Sequence, residues 1–207
     1  PPERVAEFRG YLERVTEQTA RAGRIVSDLL AFSRRSRPQR APADLNEVVN
    51  TTITLVRHKL ALMNVTCELR LASTLPLVPC DGSQIQQVVL NLVINAADAT
   101  RARGQGHVEV GTRAVSDPGG VVLTVTDDGE GIAPENLGRI FDPFFSTHEE
   151  GRGVGLGLAV VYGIVESHGG RSDVQSVVGS GTTFEVFLPM TDESTAGAPV
   201  GDARQGA

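Results

Sequence analysis

The N-terminal segment sets a seam of mostly apolar side chains at alternating three- and four-residue intervals. Val5, Phe8, Leu12, Val15, Thr19, Ala22, Val26 and Leu29 form it, with Arg and Glu between them. This heptad spacing predicts one helix over residues 3–36. Ile25, Leu30 and Phe32 widen the stripe near its end. At 1.5 Å per residue such a helix reaches about 45 Å, too long to bury its stripe against a small domain. It therefore reads as a dimerisation stalk rather than a single packed helix. RRSRPQRAPADL breaks the pattern, and Pro38 and Pro42 mark a linker over 38–43.

From Asp44 onward the period changes repeatedly. Asp44 is placed as an N-cap, with Glu47 three residues on as in a capping box, and a helix to about Leu62 follows. NVTCELRL alternates apolar and polar residues as a strand does. A further helix is predicted from Asp81 to about Thr100. HVEVGTRAV and GVVLTVTDD read as strands joined by a DPGG turn. Residues 129–155 are rich in Gly, Pro and Phe and keep no sustained period. A helix from about Leu156 to His168 and two strands, RSDVQSVV and TTFEVFLP, complete the pattern. Helices interleaved with hairpin-like strands predict a two-layer α/β sandwich, a mixed sheet covered by helices on one face. The organisation expected is stalk 1–37, linker 38–43, catalytic unit 44–190 and a disordered Gly/Pro-rich tail 191–207.

Composition narrows the function. With 207 residues, 40% of them hydrophobic, the chain can build a real core. A formal net charge of −6 argues against a general nucleic-acid binder. No apolar run approaches eighteen residues and no signal peptide is visible, so no membrane contact by this chain is expected. Cys67 and Cys80 have no His or Cys in ligand spacing and read as thiols of a reducing cytoplasm, the alternative being a disulfide between them. The start at Pro1-Pro2, without a methionine, suggests a fragment of a longer protein.

Three stretches carry candidate chemistry. In SQIQQVVLNLVINAADAT every residue between Val88 and Ala97 is apolar except Asn91 and Asn95, which lie four apart and stack on one helical face. Gln84, Gln87 and Asp98 extend that polar stripe. Buried amides without partners are costly, so either they bond neighbouring backbone or they look into a ligand site, where Asn oxygens suit a hard cation such as Mg²⁺. In TVTDDGEGIAP a strand ends at Asp127, followed by Gly129 and Gly131. Such a carboxylate can accept from an exocyclic amine while the glycines admit a flat ring; the alternative is a plain Asp-Gly turn. In GRGVGLGL, Gly151 to Leu158, glycines precede a helix whose free N–H groups attract phosphate. No Gly-Lys pair exists for a P-loop, and with Gly151 counted as the first position the sixth is Leu156, with Gly153 as the first it is Leu158, which excludes the dinucleotide fingerprint. His-Arg-Asp and Asp-Phe-Gly motifs of protein kinases are also absent.

Taken in order, these boxes resemble the catalytic and ATP-binding domain of bacterial sensor histidine kinases, in the GHKL (Bergerat-fold) superfamily. NLVINAADA is similar to its N box and DDGEGI to its first glycine box. IFDPFFST is similar to the phenylalanine box, GRGVGLGL to the second glycine box and GSGTTFEVFLP to the closing strands. The likeness runs from about Asp44 to Pro189, and YLERVTEQTARAGRIVSDLLAFSRR is similar to the second helix of the family's dimerisation domain. The resemblance implies that Asn95 ligates Mg²⁺ on the ATP phosphates, with Asn91 beside it. Asp127 is implied to bond the adenine amine, with Gly129, Gly131 and Ile132 shaping that pocket and Thr182 supporting it. Gly153, Gly155 and Gly157, with Val154, Leu156 and Leu158, are implied as a lid hinge cradling phosphate. Phe141, Phe144 and Phe145 are implied as lid-packing residues; the alternative is ordinary core aromatics. Asp98 and Arg152 complete the implied nucleotide set.

Departures refine the expectation. The superfamily's hydrolases carry a Glu general base where Asn91 stands, and an amide cannot take that proton, which suits a kinase. His148 occupies a place usually held by lysine, leaving Arg152 as the nearest fixed cation. His58, His107, His148 and His168 do not match the family's acceptor context, so the phosphoacceptor is expected on a helix before Pro1. The function expected is transfer of the ATP γ-phosphoryl group to that histidine, for relay to an aspartate of a response-regulator receiver domain. A homodimer through the N-terminal helix and a cytoplasmic location are expected with it. The alternatives are a nucleotide-sensing scaffold without phosphotransfer and an anti-sigma-type serine kinase.

Overall fold

The computed structural model describes residues 8–12, 15, 16, 19, 23, 39–117, 119–146 and 155–190. Residues 8–12, 15, 16, 19 and 23 are helical, and Phe8, Tyr11, Leu12 and Val15 lie exposed on that helix. The rest of the heptad seam and the tail 191–207 fall outside the described residues.

The five-stranded sheet carries the domain. Its strands are β2 (Val65–Arg70), β4 (Gly106–Val115), β5 (Gly120–Asp127), β6 (Arg171–Val177) and β7 (Gly181–Pro189), in the order β2-β4-β5-β7-β6. Only the β2–β4 pair is parallel; β4–β5, β5–β7 and β6–β7 are antiparallel. Alternation along each strand turns one set of side chains inward, with Val121, Leu123 and Val125 of β5 facing the core beside Phe184, Val186 and Leu188 of β7. Helices α1 (Leu45–Leu62), α2 (Gly82–Ala99) and α4 (Gly157–Ser167) supply the apolar layer that covers this set. The outward set is mostly polar, with Arg113–Glu185 and Arg70–Glu109 paired across it, while Val122 and Phe187 pair there beneath Arg171. The mixed two-layer sandwich expected from the alternating periods is thus the one observed.

Both long helices begin at aspartates. Asp44 caps α1 by accepting from the Asn46 N–H at 2.8 Å, two residues on rather than three. Asp81 caps α2 by accepting from the Ser83 and Gln84 N–H groups. Two features differ from expectation. Residues 41–43, assigned to the linker, form strand β1 (Ala41–Ala43), antiparallel to β3 (Val78–Cys80). Three residues, Ala-Pro-Ala, are too few to show a period, so only the partner strand reveals them. A one-turn helix α3 (Pro134–Leu137) also lies within the aperiodic segment, started by Pro134 at its first position.

Buried His168 joins the β1–β3 pair to the helical layer. Its Nε2 accepts from the Asp81 N–H at 3.0 Å, and its Nδ1 lies 2.8 Å from the Ile164 carbonyl, which fixes the Nδ1–H tautomer. Arg40 donates to the Ser167 carbonyl and the Gln39 N–H to Asp81 Oδ2. Burial holds the His168 imidazole below its ordinary range, keeping it neutral.

Candidate functional site

The site forms along α2. Ile85, Val88, Val89, Leu92, Val93, Ala96 and Ala97 bury one face of that helix, and the stripe of Asn91 and Asn95 is turned towards the start of α4. Asn91 Nδ2 donates to the Gly157 carbonyl at 3.2 Å. A methyl group on Gly157 would stand 3.7 Å from Asn95 Nδ2, 3.8 Å from its Oδ1 and 4.0 Å from Asn91 Cγ. Glycine at the first position of α4 therefore leaves a methyl-sized space against two amides. Bonding to neighbouring backbone accounts for Asn91; among the described residues none bonds the half-buried Asn95 amide.

The second part lies where α2 ends. The Glu130 N–H donates to the Ala99 carbonyl at 3.1 Å, which lays the loop after β5 along the last turn of α2. A Cβ on Gly129 would come within 2.7 Å of that same carbonyl, so this approach requires glycine. Gly131 has φ +72°, and a Cβ there would lie 2.2 Å from the Val177 carbonyl. Asp127 is only 5% exposed and Thr182 only 4%. Asp127 Oδ1 accepts from the Gly129 N–H at 2.8 Å and the Thr182 N–H at 3.3 Å. No described residue bonds Oδ2. Desolvation pushes the Asp127 carboxyl up to about 6; those two N–H bonds pull the other way and do not offset it, and Asp128 adds repulsion. One oxygen of the buried carboxylate thus ties its own loop to β7, and the other has no partner among the described residues.

The third part joins the phenylalanine segment to the glycine segment. The Phe144 N–H donates to the Gly155 carbonyl at 2.9 Å, with Phe144 at φ +68° and Gly155 at φ +70°. Phe145 is half-buried beneath the Arg139 guanidinium, 4.6 Å from ring centre, and Phe141 tilts against Tyr162 at 5.5 Å. Phe144 is exposed, so the three aromatics are not one core cluster. Leu156 is buried, and Leu158 packs at the core's margin. Arg152, Gly153, Val154 and His148 lie outside the described residues.

The remaining candidates fall elsewhere. Asp98 is engaged by Arg101, Nε to Oδ1 at 3.1 Å. His58 is exposed on α1, His107 pairs with Glu68 on the sheet, and His168 is buried; none stands on a heptad helix. Ile132 donates its N–H to Ser176 Oγ at 2.8 Å. Ser176 was not singled out in the sequence. It carries no signal there, because the inward row of β6 reads Ser172, Val174, Ser176 and a second serine does not stand out. Arg103, which donates to the Gly179 carbonyl and holds the β6–β7 turn over this loop, left none either.

Residues 80–192 match the family described as histidine kinase-, DNA gyrase B-, and HSP90-like ATPase. Sensor histidine kinase ZraS of Escherichia coli (strain K12) is 38% identical over 176 residues, covering 85% of this chain and 37% of that protein. Sensor kinase CckA of Brucella abortus (strain 2308) is 36% identical, covering 86% of this chain and 20% of that protein. The chain thus spans well under half the length of these relatives. Among solved structures, full-length ShkA in complex with AMPPNP superposes with a TM-score of 0.75 at 29% identity, over 87% of this chain and 38% of that one. Histidine kinase ThkA in complex with response regulator protein TrrA gives 0.70 at 27% identity, over 87% of this chain and 51% of that one.

Proposed function

The chain belongs to the histidine kinase-, DNA gyrase B-, and HSP90-like ATPase family, and from that premise we propose that it is the ATP-binding catalytic portion of a sensor histidine kinase. The observation that carries this reading is the placement of two complementary ends on one helix. Asn91 and Asn95 face Gly157 at the start of α4, and one turn after Asn95 the Ala99 carbonyl holds the loop that follows Asp127. Asp127 Oδ2 accepts from the adenine amine, and the glycine-lined loop gives the ring its place. The N-terminus of α4, eleven residues long, turns its free N–H groups and positive dipole end to the phosphates.

The residues fit a hard cation sparingly. Among the described residues no group of three or more His, Cys, Asp or Glu side chains could hold a metal. Mg²⁺, which keeps most of its ligands as water and phosphate oxygen, needs only one or two from protein, and the Asn95 amide is the one in place. When bound, that ion would supply neutralisation of phosphate charge. Asn91 cannot act as a general base, and its amide is occupied by the Gly157 carbonyl, so no described side chain beside the phosphate end activates water. The γ-phosphate is thereby kept for a protein acceptor. The acceptor in this reading is a histidine on another helix, since the described His58, His107 and His168 are exposed on α1, paired with Glu68 and buried, respectively; the phosphoryl group then passes to an aspartate of a response regulator. The exposed seam of Phe8, Leu12 and Val15 pairs the chain with a second copy.

Calorimetry of ATP binding with and without Mg²⁺ tests the reading. The wild-type chain is expected to bind MgATP and to prefer it to metal-free ATP. Asn95→Ala is expected to erase that preference while leaving metal-free binding within about threefold. Equal Mg²⁺ dependence in both proteins would refute the assignment of Asn95.

A further inference from the structure

Strand register sets three polar side chains in one inward-facing row. Asp127 of β5 is paired with Thr182 of β7, and Thr182 with Ser176 of β6. Two residues further into the sheet, the same inward row reads Val125, Phe184 and Val174, all apolar. The switch from three apolar to three polar residues occurs at one level of the sheet, across all three strands. Backbone economy does not require it, since these strands would pair equally well with Val or Thr there.

The hydroxyls are wired together. Ser176 Oγ accepts from the Ile132 N–H at 2.8 Å, and lies 2.9 Å from Thr182 Oγ1 and 3.0 Å from the Gly181 carbonyl. A serine hydroxyl has one hydrogen. If Ser176 gives it to Gly181, Thr182 must donate to Ser176 and is left as an acceptor. If Ser176 gives it to Thr182, the Thr182 hydrogen is freed to be donated elsewhere. Ser176 therefore decides whether Thr182, next to Asp127, meets a ligand as donor or as acceptor. The same oxygen also pins Ile132, and so the 129–132 loop, to the β6–β7 hairpin, where the Gly179 N–H donates to the Glu130 carbonyl at 2.7 Å.

We propose that Ser176 is a positioning residue for base recognition, acting through Thr182 and the 129–132 loop to set the hydrogen-bonding edge presented to the six-position of the purine. This rests on the nucleotide reading above. Ser176 itself need not touch the base. Its effect is specific to what stands at the six-position, because Asp127 and Thr182 are the groups whose placement it controls.

The test measures ATP and purine riboside triphosphate, which lacks the 6-amino group, on the full chain by calorimetry. For Ser176→Ala, ATP affinity is expected to fall about tenfold, while that of purine riboside triphosphate falls by less than about threefold. Ser176→Thr, which keeps the hydroxyl, is expected to remain within about threefold of wild type for both. Equal losses for the two nucleotides in Ser176→Ala would overturn the proposal and reduce the serine to a hairpin tie. Should the alanine variant fail to fold, Ser176→Cys, near in size and a poor donor, is read by the same comparison. A wild-type chain that binds neither nucleotide would instead remove the nucleotide reading itself.

Discussion

Replacing Asp127 by Asn separates the stability of the site from its function. The carboxyl sits at about 6 in the folded chain against an ordinary 3.8, because burial disfavours its charge. At about 1.4 kcal/mol per pH unit, that difference makes the ionised Asp127 a liability of about 3 kcal/mol near neutral pH. The raised value gives the sign. The folded state holds its proton more tightly than the unfolded chain, so the contribution to stability is full below 3.8 and is lost as pH rises through about 6. Asn keeps an Oδ1 that can accept from the Gly129 and Thr182 N–H groups, and it carries no charge. Asp127→Asn is thus expected to melt roughly 6–12 °C above wild type at pH 7.5. The gap should shrink by roughly half at pH 5 and become small near pH 4. ATP is expected to raise the melting temperature of the wild type and not that of the variant, since an amide N–H₂ would then stand where the proposed contact needs an acceptor. Calorimetric scans at the three pH values, with and without nucleotide, measure all of this. A variant that melts below wild type at pH 7.5, or a gap that does not change with pH, would refute the desolvation argument.

Two glycine substitutions probe the two ends of the site. Gly157→Ala meets only ordinary contacts at 3.7–4.0 Å and improves helix propensity, so its melting temperature is expected to hold or rise slightly. MgATP affinity should nonetheless fall at least about tenfold, because the added methyl fills the space facing Asn91 and Asn95; undiminished affinity by calorimetry would move the phosphates elsewhere. Gly131→Ala is expected to cost at least about 2 kcal/mol in urea unfolding, from φ +72° and the 2.2 Å approach to the Val177 carbonyl. Gly138→Ala, at φ −69° with open space around it, is the matched control and should be neutral or mildly stabilising.

Much of the architecture is local and therefore readable without coordinates. Asp44 and Asp81 cap helices because a side-chain carboxylate meets N–H groups two or three residues away, and that relation is written in sequence. Val65–Arg70, Gly120–Asp127 and Gly181–Pro189 announce themselves by alternation, and Asn91 and Asn95 by standing alone on an apolar helix. Even the types of residue at the proposed site, a strand-end carboxylate followed by spaced glycines, can be read along the chain.

Tertiary structure decided the pairings. Nothing along the chain says that Ser176 and Thr182 lie in one row with Asp127, because register between strands is a contact between distant segments. The tie from Asn91 to Gly157 spans 66 positions, that from Asp81 to His168 spans 87, and neither leaves a periodic trace. Strand β1 exists only because β3 is beside it. The titration of Asp127 belongs to the same class: its neighbours in sequence, Asp128, Gly129 and Glu130, suggest an exposed turn, and only the covering by α2 and β7 takes it out of water. Sequence specifies what each segment can offer; burial and register determine which offered groups meet, and so which of them can bind.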